Sequence, residues 1–420
     1  MKVIARLVLF AIGTLLLSHY LPEAYHLLVA SKRARAPIIF YSCVRQEFLF
    51  YRYNEHGMAM VDERGTNYER ADFEQLLPLD NYLQLLRDDR LPGEIAGVPL
   101  TPEKIRRERI NLRVRPETMD TPMVPLYPLL EAENGRVKLE MPDDFMRIHH
   151  QVEFVLAASN AVDVAKSAKF THAVVAAGFA FPPKLIAANA TTLKPYDEGY
   201  FLVDQAGATY QLRMVRGEPD LKKISEVVPA AAKAQWESLN PKYIQVQELE
   251  THEIRCFLVG GDNRPYLVVG NDYRLIPLPV EDYEPSRDNL TIRGDLLNRL
   301  ITMAREDSLQ AVALNRDYTV VRRHHETLPA LKDTTAGQLR PVIFPFITNF
   351  EADSTNYYGL FFEWGKPLAL VVNGVLLLLS LAWLAFRKQL VLRRIPDLAA
   401  VAVGGIFGVL LLLLLPRPEK

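Results

Sequence analysis

The chain has 420 residues with 49 basic and 50 acidic side chains, a formal net charge of −1. That balance supplies no electrostatic footprint for nucleic acid or for an anionic membrane surface, and no basic stripe is present. Two cysteines, Cys43 and Cys256, are too few for a disulfide-built scaffold, and the absence of a CxxC pair argues against thioredoxin-like redox work.

The first element is an apolar segment, Met1 to Tyr20, interrupted early by Arg6. Its charged start and apolar stretch are those of a secretory signal. The small residues Ala24, Ala30 and Ser31 are preceded two positions earlier by Pro22, Leu28 and Val29, which fit a cleavage site poorly. The expectation is an uncleaved signal anchor with its flank, residues 1–35.

Residues 36–363 read as one extracytoplasmic domain, mainly β with inserted helices. Glu47 to Tyr53 and Met58 to Asp62 flank a turn at Asn54–Gly57, as a hairpin would. Asp72 to Leu86 has apolar residues at helical spacing, broken in two by Pro78. Thr101-Pro102-Glu103 is an N-cap and first turn leading into a helix to Arg109. The Pro-rich stretch from Pro116 to Pro128 reads as an extended connector, and Leu129 to Met141 as a hairpin turning at Asn134-Gly135. Further hairpins are expected at Tyr200–Asp204 with Thr209–Val215 and at Arg255–Val259 with Tyr266–Val269, followed by Asp272–Leu278. The two share an aromatic with Leu-Val, a Gly-containing turn and an aromatic on the return, a recurrence that suits a propeller or a stacked β-meander as well as plain antiparallel sheet. Helices are also expected at Ala230–Leu239 and Leu296–Arg305.

Two more apolar segments, Pro367 to Phe386 and Leu398 to Leu415, each approach the ~20 residues that cross a ~30 Å hydrocarbon core. Together with the first they predict three transmembrane helices, the last two forming a hairpin with a short tail over residues 364–420. Tyr357, Tyr358, Phe361, Phe362 and Trp364 crowd the approach like rings at the headgroup level. Arg387, Lys388, Arg393 and Arg394 between the last two segments, with Lys2 and Arg6, place those stretches in the cytoplasm and the large domain in the periplasm; Lys32, Arg33 and Arg35 oppose this. The tail Arg417–Lys420 is then expected outside. Asn373 is the one amide of the second segment, and Gly404 with Gly408 makes a small-xxx-small face, for packing of the hairpin helices or docking of another membrane protein.

Among candidate chemistries, GxxxxGK[ST], GxSxG, HExxH and kinase motifs are all missing, so no catalytic residue and no cofactor is expected. His149-His150 and His324-His325, with His252, Cys256, Met141 and Met146, are weak candidates for copper or zinc, Glu326 being placed to orient an imidazole. Neighbours on a strand point to opposite faces, so at most one of each pair joins a common site. Carboxylates cluster at Asp143-Asp144, Asp197-Glu198, and Glu281, Asp282 and Glu284, in sequences that look like turns and solvated loops. In an oxidising periplasm Cys43 and Cys256 form either one long-range disulfide or two buried thiols.

Gly178 to Ile224 contains Lys184, Asn189, Lys194, the run Asp197-Glu198-Gly199-Tyr200-Phe201-Leu202-Val203-Asp204, and then Gly217 and Pro219. This stretch resembles the core of an uncharacterised bacterial family of membrane-anchored proteins with an N-terminal segment, a large soluble domain and C-terminal helices. Genes of that family neighbour ATP-binding-cassette (ABC) transporter components. The resemblance implies an inner-membrane accessory or structural subunit whose partners are a permease and an ATPase. It supplies no activity and no site residues. An extracytoplasmic ligand sensor and a metal-handling envelope protein are the alternatives.

Overall fold

The computed structural model describes residues 2–29, 36–54, 57–120, 125–133, 135–136, 138–305, 307–328, 334–352, 358–387 and 394–415. Asn134, Tyr357, Lys388, Arg393 and the basic positions in 32–35 and 417–420 lie outside them. The chain divides into two compact units: Met1–Pro37, Arg52–Met58 and Thr327–Lys420 form one, Ile38–Tyr51 and Ala59–Glu326 the other. The division thus falls at Glu326, and the segment 327–363 groups with the apolar helices rather than with the β domain.

The larger unit is mainly antiparallel β, as expected. Three meanders follow one another along the chain. The first joins Leu185–Ala187, Tyr200–Val203, Thr209–Val215 and Glu218–Lys223 in sequential order. The second joins Tyr243–Val246, Ile254–Val259, Pro265–Val269 and Arg274–Pro277. The third runs from Asn289–Gly294 through Asn298–Ala304 and Ser308–Asn315 to Val320–Thr327, with Ile110–Val114 added on its first edge. Turn chemistry sets these registers. In the first hairpin Asp204 Oδ1 accepts from Ala208 N at 2.8 Å while Gly207 takes φ +87°, a left-handed value that glycine adopts without strain.

The strands of the first two meanders are aromatic and β-branched because an apolar core covers each of their two faces. Phe201, Val203, Trp236, Cys256, Leu258 and Val268 belong to one core; Leu112, Phe257, Leu267, Ile292, Ile301 and Leu314 belong to another. A helix not expected from the sequence, Val164–Ala176, lays Phe170 and Val174 on Phe154, Leu202 and Tyr210. Asp163 caps it, accepting from Lys166 N at 3.0 Å. Each such fully buried side chain contributes about 1.5–3 kcal/mol.

Several local expectations hold. Arg70–Leu76 and Tyr82–Arg87 are two short helices either side of Pro78, Pro102–Arg107 starts from a Thr101 cap, and Ala230–Leu239 is helical. Glu47–Asn54 and Gly57–Asp62 form the first hairpin within a three-stranded sheet. Three differ. Leu296–Arg305 is not a helix: Asn298–Ala304 is an inner strand paired on both sides, so its near-continuous apolar run reflects burial of both faces. Leu129–Met141 is not a hairpin; its described residues make only a single bridge, Glu131 to Met214. Pro116–Asp120 is a short helix rather than extended connector.

In the smaller unit the N-terminal helix spans Lys2–Val29, longer than the expected segment, and a second apolar helix spans Leu368–Phe386. Among the described residues these two helices, and not three, are long and apolar enough to cross a membrane. The third expected span is two half-helices, Ile395–Gly404 and Ile406–Leu414, broken where Gly405 takes φ +52°. A two-stranded hairpin, Phe346–Ala352 with Tyr358–Trp364, precedes the second long helix, and the Phe362 and Trp364 rings stack at its exit.

Candidate functional site

The family-like stretch supplies a cluster of deeply buried charges in the larger unit. Lys194, Asp197 and Glu198 lie on the loop that feeds the strand Tyr200–Val203, and Gly199 takes φ +71° there. A Cβ at Gly199 would lie 2.2 Å from the Leu212 carbonyl, so the close approach requires glycine. Lys194 Nζ donates to Asp197 Oδ1 at 2.5 Å, to Glu248 Oε1 at 2.7 Å and to the Asn189 carbonyl at 2.7 Å. Glu248 also accepts from Asn189 Nδ2 at 2.8 Å and from Glu198 N at 2.9 Å. Glu198 in turn accepts from Gln211 Nε2 at 2.7 Å and Arg255 Nη1 at 2.5 Å, and Tyr273 Oη donates to Gln211 Oε1. Arg255 stands 4.8 Å over the Tyr273 ring.

The side chains of Lys194, Asp197, Glu198 and Glu248 are at most 4% exposed. Burial pushes the Glu248 carboxyl above its ordinary value even with Lys194 beside it. Among the described residues, Asp197 Oδ2 and the Tyr196 hydroxyl are buried without a hydrogen-bond partner. This network joins the first meander, through Lys194, Glu198 and Gln211, to the second, through Glu248, Arg255 and Tyr273. Its donors and acceptors are spent mostly on each other, which suits a seam that fixes two sheets in register.

A second charged group has access to solvent. Asp80, Arg109, Arg293 and Asp295 line a cavity of about 40 Å³ with Phe40, Tyr41 and Asn298. Burial raises the Asp80 and Asp295 carboxyls; Asp295 raises Asp80 further while Arg293 and Arg109 oppose the rise, and the Leu297 and Asn298 amides with Arg299 and Arg316 oppose it at Asp295. Burial lowers the Arg293 guanidinium, which donates to the Ile39 carbonyl and stands 4.9 Å over the Phe40 ring. A third group is built on the fully buried Arg299, which donates to Glu253 at 2.8 and 2.5 Å, while Tyr318 Oη donates to Glu253 at 2.6 Å. Burial works to raise Glu253, but Arg299, Tyr318 and Arg316 outweigh it and hold it below the usual carboxylate range.

The histidine constellation does not assemble. His149 and His150 lie with their tilted rings 4.1 Å apart in the exposed turn between Asp144–Ile148 and Val152–Leu156. His252 packs on Tyr196 at 3.8 Å, and His324 packs on Phe50 at 5.0 Å with Glu326 3.4 Å away. His325 lies on the exposed strand Val320–Thr327. Among the described residues no three His, Cys, Asp or Glu side chains meet as metal ligands would, so the metal candidates are corrected. Cys43 and Cys256 are free thiols in separate cores, Cys256 beside Val268 and Cys43 against Leu79 and Tyr82, which corrects the disulfide alternative. Burial pushes both up, Cys43 to about 12. Asp144 pairs with Lys166 at 2.7 Å, and Glu281 to Glu284 is the loop that receives Arg305.

The helical unit has its own polar groups, among them the expected packing residues Asn373, Gly404 and Gly408. Arg6 Nε donates to Asp397 Oδ1 at 2.7 Å and Arg394 Nη1 to Asp397 Oδ2 at 3.0 Å. Asp397 is fully buried. Ser18 and Thr348 hydroxyls meet at 2.8 Å, and the His19 ring reaches the Thr348 carbonyl. Asn373 Nδ2 lies 3.4 Å from the Ala402 and Val403 carbonyls. A Cβ on Gly404 would touch Thr14, and one on Gly408 would run into Ala400, so both glycines are used inside the chain's own bundle.

Two solved structures resemble the chain at low identity. One is described as the structure of the Dos1 propeller: 10% identity, TM-score 0.24, covering 48% of this chain and 47% of that one. The other is the dihydro-heme d1 dehydrogenase NirN in complex with DHE: 8% identity, TM-score 0.23, covering 57% and 52%. The chain thus spans about half the length of either. No curated protein matches it. Residues 38–314, which include the three meanders up to Leu314, the ionic seam and the acid-lined cavity, match the family described as Domain of unknown function (DUF4857), and the chain belongs to that family.

Proposed function

We propose that the protein is a membrane-anchored, non-catalytic accessory subunit of an ABC-transporter-type assembly in the bacterial envelope, with its β-rich unit in the periplasm. The observation that carries the membrane part is the outer surface of the two long helices. Ile4, Val8, Ile12 and Leu16 on one, and Leu370, Val371, Leu378 and Leu379 on the other, are all exposed, Leu370 to 71%. The polar groups of the same helices turn inward, Arg6 to Asp397 and Asn373 to the break at Gly405. An apolar shell around an internally paired polar core is the arrangement lipid requires.

The accessory role is supported by how the β-rich unit spends its charge. The seam of Lys194, Glu198, Glu248 and Arg255 is consumed in joining sheets, and the meanders are read as propeller-like blades offering edges and loops to partners. The transporter itself follows from the resemblance of residues 178–224. Cross-linking in native membranes, then mild-detergent purification of a tagged copy, tests this reading. A permease and a cassette ATPase recovered in fixed ratio support it; the protein recovered alone sinks it.

One observation favours a second reading, a periplasmic sensor. The cavity between Asp80, Arg109, Arg293 and Asp295 joins opposite charges at a solvent-accessible wall. Its volume suits an ion or a water cluster rather than a metabolite. Thermal shifts of the purified protein with small zwitterions and inorganic ions check it: no shift with any of them removes the sensor reading.

A further inference from the structure

We propose that residues 394–415 form a re-entrant hairpin, entering the membrane from the side of the chain's N-terminus and leaving on that same side, so that both chain ends lie in the cytoplasm. The proposal rests on the membrane-anchored reading above. It reverses the placement of the C-terminal tail expected from three spanning helices.

The first argument is distance. A continuous helix from Asp397 to Leu415 would hold those residues about 27 Å apart. A single guanidinium nonetheless reaches both. Arg6 Nη2 donates to Asp397 Oδ2 at 3.1 Å and to the Leu415 carbonyl at 2.7 Å. The second argument is Gly408. In one straight helix residues 400 and 408 would be about 12 Å apart along the axis. A Cβ built on Gly408 would instead stand 2.4 Å from the Ala400 carbonyl oxygen and 2.5 Å from Val401 Cα. The two halves therefore lie side by side, and the reversal sits at Gly404-Gly405.

The N-terminal helix gives the direction of each half. Asp397 lies at Arg6 and Gly404 at Thr14, so the first half runs alongside that helix in the same sense. Leu415 lies at Arg6, Leu411 at Gly13 and Phe407 near Leu17 and Leu21, so the second half runs back. Ten and nine residues reach about 15 and 13 Å, half the ~30 Å hydrocarbon core. Non-helical backbone at that depth is tolerated only when protein covers it. Here Asn373 approaches the Ala402 and Val403 carbonyls, and Phe344 and Phe346 pack on Phe407.

Charge agrees. Lys2, Arg6, Arg387 and Arg394 belong to the stretches at the entry side, and a returning chain brings the basic residues that follow Leu415 in the sequence to that side. The positive-inside rule assigns that side to the cytoplasm. A spanning third helix would send the last two basic residues across.

The test uses the full-length protein with a short epitope at each terminus. Protease accessibility is measured in spheroplasts and in inverted membrane vesicles, with a membrane-impermeant maleimide on Glu419→Cys as a tag-free second measure. The native Cys43 and Cys256 give the background. The expected result is that both epitopes and the new thiol are shielded in spheroplasts and reached in inverted vesicles. An N-terminus inside with a C-terminus outside overturns the hairpin while leaving membrane anchoring intact. Release of the protein by alkaline washing overturns both.

Discussion

In the β-rich unit three buried carboxylates, Asp197, Glu198 and Glu248, share two cations, Lys194 and Arg255; in the helical unit one buried carboxylate, Asp397, is shared by two guanidiniums, Arg6 and Arg394. The first group sits between strands of two meanders, where backbone and amide donors also reach both oxygens of Glu248 and Oε2 of Glu198. The second sits at one end of an apolar bundle, where Arg6 also donates to the Leu415 carbonyl at the end of the last half-helix. In both, the minority charge holds the cluster together, and its loss strands the majority in a low-dielectric setting. That asymmetry makes the two regions separable by single substitutions.

The largest effect is expected from Asp397→Leu. It leaves Arg6 and Arg394 facing each other without a carboxylate, a loss of about 3–5 kcal/mol. Thermal melting in detergent and proteolysis of the N-terminal helix read it; the β-rich unit should melt unchanged. Lys194→Met is the mirror experiment and should cost a similar ~3–5 kcal/mol in the β-rich unit alone. If either substitution destabilised both units equally, the comparison would be wrong. Next, Gly405→Val puts a branched side chain where φ is +52° and a Cβ would stand 2.0 Å from Asn373 Oδ1. A loss of about 2 kcal/mol or more in bundle stability is expected, seen as a lower melting temperature.

A pH titration sharpens the comparison at lower amplitude. Asp80 and Asp295 are raised by burial. The folded state then binds protons more readily than the unfolded chain, so their contribution to stability is present at low pH and fades as pH rises through the raised values. Glu253, held low chiefly by Arg299 against its burial, acts in the opposite sense and loses its contribution as pH falls. Asp80→Asn should flatten the first dependence in urea unfolding and leave the second untouched. Smallest of all, Lys233→Ala removes an exposed i,i+4 pair with Glu237 and should change stability by less than ~0.5 kcal/mol.

Much of the β-rich unit was legible in the sequence because its turns carry their own chemistry. Gly207 in one hairpin and the Gly260–Asn263 turn in another fix reversals between aromatic strands, and the Thr101 and Pro78 signals act within one helical turn. Asn298–Ala304 escaped because an inner strand buried on both faces lacks the alternation that separates strand from helix. The seam escaped because Asp197-Glu198 beside Pro195 has the composition of a solvated turn. Only pairing with Glu248 and Arg255, some fifty residues further on, shows it to be core. Arg255 between Ile254 and Cys256 was the available signal, a cation set inside an apolar strand. Gly404 and Gly408 were visible as a small-residue face, but apolar content alone cannot distinguish one spanning helix from two half-helices folded together. Asp397, an acid at the head of an apolar run, was the clue that a cation from another segment must meet it.

The division of labour between the two units is tested most directly by alkaline-carbonate fractionation of cells making the full-length chain. The account predicts that the protein stays in the membrane pellet, as a protein held by the Lys2–Val29 and Leu368–Phe386 helices must. Recovery in the soluble fraction, folded and intact, would contradict it.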